Sequence, residues 1–120
     1  MGSIIARGGL AALFTAVVAT VGFGDEVRVD ANKVDEQQVA LVVTDNNDTV
    51  WKTVLPCQTI NRMPNVHLEG MVRGYASDAF EEVVHSERRR EDFKDNLRLL
   101  SGAAVNEAAH MCGKPNILAY

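Results

Sequence analysis

Residues 38–55 read QVALVVTDNNDTVWKTVL. Val39–Thr44 is an apolar run with three valines, strand-like in both length and β-branching. Asp45-Asn46-Asn47-Asp48 is a turn cluster, because Asn and Asp tolerate left-handed backbone and bond their own main chain. Thr49–Leu55 follows with β-formers throughout, and Pro56 ends it. The stretch therefore predicts a β-hairpin over 38–55. Upstream, Val27 and Val29 alternate with Glu26, Arg28 and Asp30, which predicts a short half-buried strand. The polar run 31–37 reads as a loop or a single turn. Downstream, 57–64 reads as irregular, and the alternation Val66-His67-Leu68-Glu69 suggests a further strand reaching Val72, weakened by Gly70 and Gly74.

The last third is helical. Ser77 or Asp78 can cap a helix start, with Glu81 completing a capping box after Asp78. Phe80, Val83 and Val84 form one apolar face. Phe93, Leu97, Leu100, Ala104 and Met111 form a second, lying within roughly 60° of each other at helical spacing. One straight helix would not align the two faces, so a break is expected near 85–90, separating helices 78–86 and 91–112. Gly113 and Pro115 are a helix stop. Residues 116–120 are expected to return as a short edge strand. The fold class is α+β: a small antiparallel sheet packed against C-terminal helices.

The chain has 120 residues, 47% hydrophobic and 23% charged, with net charge −4. That is ordinary globular chemistry for one domain, and the sign of the charge disfavours nucleic acid as a partner. The N-terminus carries Arg7 and then no charge until Asp25. A short basic start, an apolar run and small residues at Gly22 and Gly24 read as a cleavable secretory leader over 1–24. The rivals are an uncleaved membrane anchor, at the short edge of what spans a bilayer, and a buried or mitochondrial-type segment. Cleavage leaves 25–120 as a single domain with eleven basic and sixteen acidic side chains, a charge of −5.

Two cysteines, Cys57 and Cys112, are expected to form a disulfide if the chain is exported. Closing that loop is worth roughly 4 kcal/mol in the chain-entropy model. The rival use is a metal site with His67 and His110, but the short ligand spacings of zinc sites are absent. His67-Leu68-Glu69 has the His-x-Glu form used by zinc deaminases without their later Pro-Cys-x-x-Cys. No nucleophile elbow, Ser-x-x-Lys or His-Glu-x-x-His motif is present, so no catalytic residue and no cofactor is expected. Asp45–Asp48 lacks the calcium-loop glycine and distal Glu. Arg88-Arg89-Arg90, flanked by Glu87, Glu91 and Asp92, reads mainly as a self-neutralised helix surface, with Arg88–Asp92 and Asp95–Arg98 pairs at helical spacing. With Trp51 it is also the candidate interaction patch.

From Cys57 on, the layout loosely resembles small bacterial envelope lipoproteins of the outer-membrane stress-sensor type, through Cys57, Leu97, Arg98, Ala108, Gly113 and Asn116. The lipid-attachment cysteine of those proteins is absent. The resemblance implies sheet plus helix and an envelope location. The functional expectation is a small periplasmic or secreted, non-enzymatic binding protein whose partner is another protein. Its alternatives are a single-pass accessory subunit of a membrane complex and a small metal-dependent or hydrolytic enzyme.

Overall fold

The computed structural model describes residues 14–20 and 26–115. Strands β1 (Phe14–Thr20), β2 (Glu26–Asp35), β3 (Gln38–Asp45) and β4 (Asp48–Pro56) precede helices α1 (Cys57–Arg62), α2 (Asn65–Val83) and α3 (Glu87–Met111). The strands form one antiparallel meander in the order β1-β2-β3-β4. The fold is α+β.

The hairpin forms where the sequence places it. Asn46 (φ 50°) and Asn47 (φ 72°) are both left-handed, the two-residue turn whose twist suits a hairpin. A bulge between Val43 and Thr44 makes Val50 an extra residue on β4. Both Val50 and Trp51 therefore lean on the core. The opposite end of β3 is closed by a second tight turn at Glu36-Gln37, with Asp35 Oδ1 accepting from Gln37 N–H at 2.8 Å. The single turn expected within 31–37 is confined to these two residues, and 31–35 is strand rather than loop. The strand continues through polar residues because Ala31 still faces the core and the β3 ladder continues beside it.

Val27, Val29 and Ala31 line one sheet face with Val39, Leu41 and Val43. The helices cover that face: α3 packs over β2 and β1, and α2 lies toward β4. In α2 the buried residues are Asn65, Leu68, Val72, Ala76 and Phe80, a stripe at i+3 and i+4. The strand expected over 66–72 is thus the first half of a helix, and Val66 and His67 point to solvent. Ser77 and Asp78 lie inside α2, so the expected capping box does not form there; the N-cap is Pro64, whose carbonyl accepts from His67 and Leu68 N–H. Residues 57–62 are helical rather than irregular.

The chain breaks at Val84–Ser86, at the edge of the expected interval. Ser86 Oγ accepts from Arg89 N–H at 3.3 Å and caps α3, which begins at Glu87 rather than 91. The break folds the two apolar faces onto each other. Phe80 and Phe93 stack with centroids 3.9 Å apart, and both are almost fully buried. Gly113 (φ 68°) ends α3: its N–H bonds His110 O and that of Lys114 bonds Ala109 O, the paired bonds of a Schellman motif. The strand expected over 116–120 lies outside the described residues.

Candidate functional site

Three places carry chemistry. The first is the end of the molecule where α1 meets the end of α3. Cys57 and Cys112 form a disulfide, with Cα atoms 5.3 Å apart and a sequence separation of 55. Asn61 Nδ2 donates to Cys112 O at 3.2 Å. Lys114 is buried, and its Nζ donates to Met63 O and, at 2.9 Å, to Asn65 Oδ1. Burial pushes the Lys114 ammonium below the ordinary lysine range. With both sulfurs bonded to each other, His67 and His110 have no thiolate to share a metal with; both are exposed. Among the described residues no three His, Cys, Asp or Glu side chains are grouped to hold a metal ion.

The second place is an open groove of about 360 Å³ between α2 and α3, lined by Gly70, Arg73, Gly74, Ser77, Asp78, Glu81, Lys94 and Arg98. The two glycines leave room on α2: a Cβ at either meets nothing within 4 Å. At Gly102, by contrast, a Cβ would stand 3.3 Å from Glu69 Oε1, so that glycine permits close approach of the helices. Lys94 Nζ lies 2.6 Å from Glu81 Oε2. Their hydrogen bond and opposite charges hold Glu81 below the usual carboxylate range and Lys94 above the usual lysine range. Arg98 and Asp95 pair at 3.3 Å, as their spacing suggests. The groove is polar and largely self-neutralised.

The basic triplet is divided by the fold. Arg89 forms a two-pronged bond to Asp45 at 2.7 and 2.9 Å and lies 5.4 Å above the Phe80 ring, tying α3 to the hairpin tip. Arg90 donates to Val84 O and Glu81 O at 2.6 and 2.8 Å, a cation closing the C-terminal end of α2. Arg88 is exposed. Trp51 stacks on Tyr75 of α2, with centroids 6.0 Å apart and 10° between planes.

The third place, which the sequence reading missed, is the β1-side edge of β2. Arg28, Asp30 and Asn32 alternate with the core residues and so face away from the helices. Arg28 Nη2 is 3.6 Å from Asp30 Oδ1, too far for a hydrogen bond. Arg28 Nε, Asp30 Oδ1 and Asn32 Oδ1 are buried with no hydrogen-bond partner. Asn61 Oδ1 and Ser101 Oγ are the other such atoms among the described residues, so the shortfall is concentrated on β2. Burial raises the Asp30 carboxyl above its ordinary range, opposed by the Arg28 charge.

Among the described residues no helix is long and apolar enough to cross a membrane. Compared with family models, curated proteins and solved structures, the chain matches none.

Proposed function

We propose that this chain is a small exported protein, periplasmic or secreted, that acts by binding another protein, as an accessory, inhibitor or immunity-type factor. The observation that supports it is the Cys57–Cys112 bond, which joins the first helix after the sheet to the end of the last helix. Disulfides persist in oxidising compartments, and small exported domains use them to supplement a modest core. The leader-like 1–24 segment and the acidic balance of 25–120 agree with an exported, freely diffusing protein. The groove between α2 and α3 is lined by paired charges, the chemistry of a solvated surface.

The test is intact mass after expression with the native leader, on soluble and membrane fractions, with thiols alkylated but not reduced. The expected species is soluble, begins near Asp25 and carries no alkyl group. A full-length, membrane-bound species would transfer the reading to an accessory membrane subunit. A full-length soluble species would make 14–20 a permanent strand of the sheet. Two alkylated cysteines in any fraction would contradict the oxidising-compartment argument.

A further inference from the structure

The β1 strand belongs to the stretch that reads as a secretory leader, and cleavage before Asp25 removes all of it. The edge it would vacate is well defined. Seven residues pair antiparallel there, from Phe14 opposite Asn32 to Thr20 opposite Glu26. Helix α3 packs over β1 as well as β2, so the slot is roofed on the core side. An unpaired edge of that length is a template for strand addition.

The register of β1 sets apolar residue types opposite polar ones on β2. Val18 lies opposite Arg28, Ala16 opposite Asp30 and Phe14 opposite Asn32. None of those residue types carries a side-chain hydrogen-bonding group. At those positions of β2, Arg28 Nε, Asp30 Oδ1 and Asn32 Oδ1 are buried without a hydrogen-bond partner, and Asp30 is only 6% exposed. A strand with polar residues at those positions would satisfy them.

We infer that, in the exported chain, the β2 edge is the binding site for an extended strand of a partner protein. That strand adds antiparallel to residues 26–32, with small or apolar side chains under α3, a basic side chain opposite Asp30 and an acidic one opposite Arg28. This inference rests on the exported-binding-protein reading above and names the surface it uses. A second copy of this chain does not fit the slot. Two β2 strands side by side are about 4.8 Å apart, and each brings an overhanging α3, whereas packed helices need about 8–10 Å between axes.

The test uses the soluble species purified after expression with the native leader. It is titrated with two synthetic peptides spanning residues 13–21: the native sequence, and the same sequence with Ala16→Lys and Val18→Glu. The charged peptide is expected to protect the amides of 26–32 from hydrogen exchange and to bind about tenfold tighter, from two opposite-charge cross-strand pairs. Arg28→Glu with Asp30→Lys in the protein is expected to reverse that preference toward a peptide carrying Ala16→Glu and Val18→Lys. A cleaved chain that ignores both peptides, or binds them equally, overturns the inference and leaves the export reading standing. A cleaved chain that self-associates with 26–32 already protected gives the edge to a second copy and overturns the partner strand. A chain that keeps its leader overturns both readings together.

Discussion

The two ends of the described chain are built to opposite standards. At the C-terminal end, a covalent bond, Asn61 on a helix-end carbonyl and Lys114 on two acceptors tie residues 57–65 to 112–114. At the N-terminal end, β1 is held to β2 by its ladder and by α3, and three polar atoms of β2 are buried without hydrogen-bond partners. The first region is arranged for permanence. The second leaves polar groups of β2 without hydrogen bonds, the feature from which we infer that the strand beside them is exchangeable. Backbone pairing alone therefore does not identify a strand as the one a sheet edge is built for; the side chains opposite must also match.

The largest way to break this contrast is to cut the cross-link. Cys57→Ala with Cys112→Ala is expected to cost about 4 kcal/mol, read as a lower denaturant midpoint than that of the oxidised wild type. An unchanged midpoint would place the permanence elsewhere. Next, Lys114→Met leaves Met63 O and Asn65 Oδ1 without their donor, and denaturant unfolding is expected to show a loss of about 1–3 kcal/mol. Ser86→Ala removes the cap of α3 and should lower stability by about 1 kcal/mol without altering export or disulfide formation.

The smallest effect sharpens the comparison through pH. Asp30 has its folded pKa raised above 3.8, so its charged form is disfavoured in the fold. Between 3.8 and the folded pKa the native state binds more protons than the unfolded state. Stability there falls as pH rises and recovers as pH is lowered through that window. Comparing denaturant midpoints across the window, full-length wild type should show this slope and full-length Asp30→Asn should lack it.

How much of this was legible depended on how local each signal was. The hairpin was read correctly because Asn46 and Asn47 announce a left-handed turn between β-branched runs. The helix stop at Gly113 was readable for the same reason. The start of α2 was not, because Pro64 caps it without a side-chain bond, and Gly70 and Gly74 lower its helix propensity. Its buried stripe runs through Asn65 and Ala76, which carry little hydrophobic signal, while the chance alternation at 66–69 imitates a strand. The disulfide was expected from the export reading together with the presence of just two cysteines. The bond from Arg89 to Asp45 spans 44 positions, and nothing in either segment marks it. The β2 edge was invisible because its chemistry depends on which residues of 14–20 fall opposite Arg28, Asp30 and Asn32.

Amide exchange on the species exported with its own leader tests the account most directly, read together with its intact mass. The account expects a chain beginning near Asp25, with Cys57 and Cys112 joined, slow exchange at Val39, Leu41 and Val43, and fast exchange at alternate amides of 26–32. A chain still beginning at Met1, with β2 protected along its whole length, would contradict it.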